Sequence, residues 1–118
     1  MKRVLILTIF LMLVAAAFSN LVVYSSVDEA NARKILTAFV EETGVKVDFV
    51  FLSSGPALAR IEAESNNPQA DVWFGAPLEN HIIAKERGLT QSYKTLSVYG
   101  VSPEFYDVEG YYHPIYMN

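Results

Sequence analysis

The sequence has no cysteine among its 118 residues. This absence excludes disulfide bonds, thiolate metal sites and a cysteine nucleophile. A domain without covalent cross-links is held together by its apolar core alone. The length is sufficient for one modest domain.

Sequence motifs of catalysis are also missing. There is no G-x-S-x-G nucleophile turn, no glycine-rich phosphate loop and no closely spaced set of His, Asp and Glu that would indicate a catalytic metal. His81 falls within a predicted helix and His113 precedes Pro114, so each is better explained as a local hydrogen-bonding residue than as a metal ligand. We therefore expect a protein that is not an enzyme.

Long apolar runs are confined to the N-terminus, where residues 4–18 are uncharged and almost wholly apolar and follow Lys2 and Arg3. With Ala17 and Ser19 as small residues before a cut at Asn20, the pattern predicts a secretory signal peptide over residues 1–19. A retained membrane anchor is the alternative, but the run of about 15 residues is shorter than the roughly 20 that a spanning helix needs. We expect a periplasmic or extracellular protein.

Basic residues are few. Loss of Lys2 and Arg3 from the 9 basic residues leaves 7 against 13 acidic ones, a net charge of −6. An acidic chain with no run of Lys or Arg is a poor candidate for binding nucleic acid or an anionic membrane surface. A small ligand is not excluded, because a local site can oppose the overall charge.

Short apolar runs alternate with amphipathic stretches along the first half of the chain. Residues 21–24 form a short apolar run rich in β-branched and aromatic residues, and they predict a buried strand. Asp28 then serves as the N-cap of a helix with an apolar stripe, which Gly44 ends. A second strand is predicted over residues 45–51, and Pro56 suits the first position of a second helix.

The alternation continues with a third strand over residues 70–74 and a third helix that opens at residues 76–78 and ends at Gly88. Residues 111–117 are strand-like, but Pro114 makes them an edge strand or an irregular crossing. The order β-α-β-α-β-α predicts an α/β fold with a parallel sheet and right-handed crossovers.

The three predicted strands all end in small polar residues or glycine, each time just before a helix. In an open parallel sheet, ligands bind beyond the carboxyl ends of the strands, where helix N-termini attract anions. Ordinary caps and turns would explain any single loop, but three such loops at one sheet edge predict a ligand site. The candidate binding residues are Ser25, Ser26, Ser53, Ser54, Gly55, Gly75 and Ala76.

Other side chains are weaker candidates. Asp28 could ligate a cation, although an N-cap role explains it better. Trp73 and Phe74 alternate faces on the third strand; one of them could floor the cleft, with core packing as the alternative. Tyr111, Tyr112 and Tyr116 could ligate a hard ion as phenolates, but aromatic residues are also common in strands.

Residues 22–26, 39–47 and 67–75, together with the turn at Ser54 and Gly55, resemble bacterial extracellular solute-binding proteins of ABC importers. The resemblance covers nearly all of residues 21–118. It is to the type-II periplasmic binding proteins of the iron(III), phosphonate, thiamine and sugar-phosphate branch. It implies a receptor with two α/β lobes that close on a solute and deliver it to a membrane permease. It also implies that the three loops line the cleft side of the first lobe.

The chain departs from this family at two positions and in length. Ferric-ion members often carry a His near the place of Asp28 and a Glu at the place of Ala76, and their paired Tyr ligands come from a part absent here. Members have about 300 residues, or two domains of about 150, so residues 20–118 would form part of an N-terminal lobe that lacks its C-terminal lobe. This favours a truncated gene, a fragment or half of a split receptor.

Three functions follow from these patterns. The leading hypothesis is a receptor for a small anionic solute such as a phosphonate or organophosphate. A ferric-ion receptor of the same family is the second, with iron as the transported ligand. The third is a truncated remnant that binds nothing.

Overall fold

The computed structural model describes residues 19–98 and 100–115. The chain forms β1 (Leu21–Ser25), α1 (Glu29–Thr43), β2 (Val47–Phe51), α2 (Ser54–Ala63), β3 (Val72–Phe74) and α3 (Leu78–Glu86), followed by two short 3₁₀ turns, Leu96–Val98 and Pro103–Phe105. The predicted α/β order is confirmed. The signal peptide predicted for residues 1–19 lies almost entirely outside the described residues. Within the described ranges, no helix is both long and apolar enough to cross a membrane.

The sheet is parallel and has β1 at its centre, in the order β2-β1-β3. Val23, Tyr24 and Ser25 of β1 are almost completely buried. The side chain of Asp71 extends the pairing beyond β3, because its Oδ2 accepts the backbone N–H of Val22 at 2.8 Å. A central strand that pairs on both sides and buries both faces explains the continuous apolar run in the sequence.

The Tyr24 side chain connects the central strand of the sheet to the C-terminal end of α2 through hydrogen bonds. Its hydroxyl donates to both carboxylate oxygens of Glu64, at 3.0 and 2.8 Å, and Arg60 bonds Glu64 at 2.8 Å while lying 4.8 Å from the centre of the Tyr24 ring. Burial, followed by the bond to Glu64, raises the pKa of the Tyr24 phenol. Arg60 is the main reason that the pKa of Glu64 lies below its ordinary value. The phenol therefore stays protonated as the donor, and the carboxylate stays charged as the acceptor.

Both predicted caps of α1 are present. Asp28 Oδ1 accepts the N–H of Asn31 at 3.2 Å, and Gly44 has the left-handed conformation with φ 72°. The apolar stripe is only partly covered: Ala32 is buried, whereas Ile35 is 52% exposed and Phe39 is 36% exposed. The described residues therefore leave much of the apolar face of α1 in contact with solvent.

The prediction that Pro56 occupies the first position of the second helix was wrong by two residues. Helix α2 begins at Ser54, with Ser53 as its N-cap, so that Pro56 is the third helical residue. The first intrahelical bond is donated by the N–H of Ala57 to the carbonyl of Ser53 at 2.9 Å. Pro56 is tolerated because the N–H groups of a first helical turn have no intrahelical acceptor, so its missing donor leaves no bond unmade.

Of the two alternatives for the C-terminal segment, the described residues 111–115 follow the irregular crossing and form no edge strand; residues 116–117, with Tyr116, lie outside the described residues. Side chains fix this segment instead of a ladder. Asp107 accepts the N–H of Tyr111 at 3.0 Å and the ammonium of Lys85 at 2.9 Å. The N–H of Tyr93 also donates to the carbonyl of Gly110 at 2.8 Å.

Candidate functional site

A groove with a volume of about 1000 Å³ runs from the carboxyl end of the sheet along the outer side of β3. Its wall includes residues from each of the three predicted loops, namely Ser26, Ser54, Gly75 and Ala76. They share this edge because β1, β2 and β3 are parallel and each leads towards a helix at the same end. The structure thus brings four of the seven candidate binding residues to one surface.

The remaining three candidates lie elsewhere. Ser25 is the last residue of β1 and is fully buried, and its Oγ has no hydrogen-bond partner among the described residues. Alternation along the strand separates Ser25 from Ser26, which emerges at the groove. Ser53 and Gly55 are exposed at the start of α2 and do not line the groove. The binding role of all seven residues stays a prediction.

The loop after β3 approaches the loop after β1 very closely. A methyl group at Gly75 would lie 2.7 Å from both Cγ2 and the backbone N of Val27 and 2.9 Å from the carbonyl carbon of Ser26. Gly75 also has a φ of 86°, and Ala76 follows with a φ of 69°. A non-glycine residue in the left-handed region is strained, and such strain is concentrated at functional sites.

Trp73 and His81 complete this corner of the groove. The sequence offered Trp73 or Phe74 for the floor of the cleft, with core packing as the alternative, and His81 as a local hydrogen-bonding residue, but it did not place Trp73 and His81 together. The indole Nε1–H of Trp73 donates to Ser26 Oγ at 3.0 Å. The ring of His81 packs on Trp73 with centroids 4.5 Å apart, and His81 Nε2 hydrogen-bonds the carbonyl of Gly75. A carbonyl only accepts, so Nε2 carries the proton. The parallel pairing of β1 with β3 was the available signal, because it puts Trp73 opposite Tyr24 and close to Ser26.

The helix N-termini near the groove differ in charge. Helix α1 has Asp28 as its cap and Glu29 in its first turn, and these carboxylates already occupy its positive end. Helix α2 has no acidic residue in its first turn, and its Ser53 side chain makes no capping bond. The unpaired N–H groups and the dipole at the start of α2 therefore favour an anion beside Ser54.

Both carboxylate oxygens of Asp28 accept hydrogen bonds from the first turn of its own helix, α1. Its Oδ1 accepts the N–H of Asn31, and its Oδ2 accepts the side-chain amide of the same residue at 2.5 Å. A cation at Asp28 would have to share the two oxygens that already accept these bonds. Within the described parts of the chain, no group of three His, Asp or Glu side chains is arranged to hold a metal ion.

No protein-family model matches the chain. An uncharacterized protein of Haemophilus influenzae strain Rd is 38% identical over 107 residues, which cover 87% of this chain and 31% of that protein. The chain therefore spans less than a third of this relative.

Solved structures of periplasmic binding proteins are also similar. AfuA from Actinobacillus pleuropneumoniae, with exogenous fructose-6-phosphate bound, is 37% identical with a TM-score of 0.70, over 73% of this chain and 27% of that one. P5PA is 32% identical with a TM-score of 0.69, over 74% and 28% of the two chains. Iron-bound HitA from Pseudomonas aeruginosa has a TM-score of 0.72 over 77% and 30%, but at 24% identity this similarity shows the fold alone. The parallel sheet and three helices match a fragment of a periplasmic binding protein lobe.

Proposed function

We propose that the chain is part of the substrate-binding component of an ABC importer and that it contributes one wall of a site for a small anionic solute in the periplasm. The observation that carries this proposal is the convergence of Ser26, Ser54, Gly75 and Ala76 on one groove at the carboxyl end of a parallel sheet. Ligands of open α/β sheets bind at this end. Capture would be followed by delivery to a membrane permease.

A phosphorylated or phosphonate solute suits this wall best. Serine hydroxyls and the free N–H groups of a helix N-terminus are donors, which match the acceptor oxygens of such a group. The start of α2 has no acidic residue in its first turn to repel it. Of the similar structures, the one at 37% identity has fructose-6-phosphate bound, so a sugar phosphate is the solute class to test first.

A ferric-ion receptor is the second candidate, since Tyr111 and Tyr112 line the same groove and phenolates suit hard ions. Against it stand Ala76, which offers no ligand atom, and the engagement of Asp28 with Asn31. The iron-bound structure is also the more distant one, at 24% identity. Iron would enter this site as cargo.

The proposal includes a complementary polypeptide that supplies the other wall, namely the rest of the first lobe and the C-terminal lobe. Among the described residues, β3 pairs with β1 alone, which leaves its outer edge open. Large apolar side chains around the sheet and helices are exposed, including Ile35, Phe51 and Val72. Open strand edges and contiguous apolar patches are typical of surfaces that another chain covers. Without this partner, one wall alone would enclose too little of a solute to hold it tightly, so the chain alone should bind only weakly.

The test is a titration of the isotopically labelled full chain, followed by NMR, with fructose-6-phosphate, inorganic phosphate and ferric citrate. We expect the two phosphates to shift the backbone signals of Ser26, Ser54 and Gly75. Ser26→Ala and Ser54→Ala should each reduce the response. Ser65→Ala is the matched control, because Ser65 lies beyond the opposite end of α2.

Each alternative has its own signature in this experiment. A visible tyrosinate–iron absorption band with ferric citrate, without any phosphate response, would replace the anion proposal with the ferric one. No response to any probe, alone or with a co-expressed C-terminal part, would leave the remnant interpretation.

A further inference from the structure

Ser26 is a hydrogen-bond acceptor towards its own protein. Its Oγ receives the Nε1–H of Trp73 at 3.0 Å, and an indole N–H can only donate. The hydroxyl hydrogen of Ser26 is not used in this bond, and no described residue accepts it. Ser26 also lines the groove and is partly exposed. The geometry of the Trp73 bond therefore leaves an O–H donor for the groove.

Trp73 is held firmly enough to impose this geometry. Its backbone pairs with Tyr24 in the centre of the sheet, and the ring of His81 packs against its indole at 4.5 Å. His81 is in turn hydrogen-bonded to the carbonyl of Gly75, a residue that lies so close to Val27 that no side chain would fit there. The indole therefore contacts Ser26, just after β1, and His81 on α3.

We propose that Trp73 is a positioning residue that presents the Ser26 hydroxyl as a donor to an anionic oxygen of the solute. The inference rests on the proposed anion-binding function and adds a residue that determines specificity. Trp73 occupies one of the two lone pairs of Ser26 Oγ, so the groove meets a hydroxyl biased towards donation. Such a hydroxyl favours a group that only accepts, as a deprotonated phosphoryl oxygen does, over one that must donate.

The first experiment reads the bond itself and needs no ligand. Trp73 is the single tryptophan of the chain, so its indole N–H gives one NMR signal of known origin. In Ser26→Ala this signal should move upfield and its hydrogen exchange should become faster. Ser26→Thr, which keeps the hydroxyl, should restore both. An unchanged indole signal in Ser26→Ala would overturn the proposal.

The second experiment reads the consequence for binding, with inorganic phosphate as the probe. Trp73→Phe keeps an aromatic ring beside His81 and removes the donor. It should weaken phosphate binding by about three- to tenfold, the usual worth of one hydrogen bond. In the Ser26→Ala background, Trp73→Phe should have no further effect, since the hydroxyl that it orients is absent. Urea unfolding of each variant, read by circular dichroism, separates loss of affinity from loss of fold.

The outcomes separate the two proposals. Equal weakening by Trp73→Phe with and without Ser26→Ala would show that the indole acts through packing, and it would overturn the positioning role while leaving the anion site intact. If phosphate shifts no signal in the parent chain, alone or with the co-expressed C-terminal part, the proposed function fails and the positioning role fails with it, whatever the indole signal shows.

Discussion

Strand β1 and the segment over residues 91–115 are ordered by different means. β1 pairs with a strand on each side, in registers that run over Leu21–Ser25 against β2 and over its last three residues against β3. Outside its two 3₁₀ turns, the described part of residues 91–115 has no regular structure. Asp107 fixes it by accepting from Lys85 and from the N–H groups of Glu109 and Tyr111.

This difference between β1 and residues 91–115 determines how far the effect of a substitution spreads. In β1 the stabilisation is spread over a ladder and a buried surface, so a defect there affects the whole sheet. In residues 91–115 a few side-chain bonds stabilise a local structure, so the loss of one should open that segment alone. Proteins open locally in this way when buried apolar contacts are few.

The largest effect is expected for Gly75→Ala, which acts on the contact between the loops after β1 and β3. The new methyl would meet Val27 at 2.7 Å, and the residue would have to keep a φ of 86°. The steric overlap and the left-handed conformation together should lower the free energy of unfolding by about 3 kcal/mol. Urea denaturation followed by circular dichroism measures this change.

Gly44→Ala is the matched control, because Gly44 has a φ of 72° but nothing within 4 Å of the added methyl. It should cost about 1 kcal/mol, the conformational part alone. Equal costs at the two glycines would show that the loops after β1 and β3 are not in close contact.

An intermediate and local effect is expected for Asp107→Asn. The amide cannot accept from Lys85 and the two backbone N–H groups as the carboxylate does. Hydrogen exchange should become about tenfold faster for the amides of Glu109 and Tyr111, with little change for Val23 and Tyr24. If exchange also became faster throughout β1, the two regions would open together, and the claim that residues 91–115 open independently would be wrong.

The same carboxylate gives this segment an acid-sensitive stability. Burial raises the pKa of Asp107, but the Lys85 ammonium and the backbone N–H groups of Tyr111 and Glu109 outweigh it, and the folded pKa lies below the ordinary value. Its contribution is present above the unfolded pKa of about 4 and is lost as the pH falls through the folded pKa. The pKa of Lys85 is raised, first by Glu109 and then by Asp107, so its contribution persists to alkaline pH. Asp107→Asn should remove the acid-induced opening of residues 107–111.

The smallest effect is expected for Glu29→Gln on α1. Glu29 bonds Arg33 at 2.5 Å, but both side chains are more than half exposed. Exposed pairs at this spacing contribute little, so the free energy of unfolding should fall by less than about 1 kcal/mol, and by less still at high salt. A loss as large as that of Gly75→Ala would mean that α1 stabilises the sheet through this pair.

The sequence predicted those parts of the fold that depend on periodic patterns and caps. The run 21–24, the Asp28 cap and Gly44 each have one good local explanation, and the structure has them as expected. The start of the second helix was predicted wrongly from Pro56, because any position of a first helical turn tolerates proline. For residues 111–115 the pattern left an edge strand and an irregular crossing open, because aromatic residues favour strands, whereas the bonds of Asp107 that shape this segment connect residues with no common period.

The site was predictable only at the level of loops. Topology brings the residues after parallel strands to one edge, so the element order alone predicted that Ser26, Ser54 and Gly75 would share a surface; their binding role stays a prediction. Which of two adjacent serines faces the groove depends on where β1 ends, and boundaries are poorly defined by pattern. The hydrogen bond from Trp73 to Ser26 joins residues that are 47 positions apart, so no local sequence pattern predicts it.

The central position of β1 also affects how the chain is made. Synthesis proceeds from the N-terminus, so β1 is complete before either neighbour exists. Its first partner ends at Phe51 and its second at Phe74. During that interval the most deeply buried strand of the sheet has unpaired edges, which are the usual starting points of aggregation. A chaperone that binds extended apolar segments would therefore protect the nascent chain most if it engaged residues 21–25.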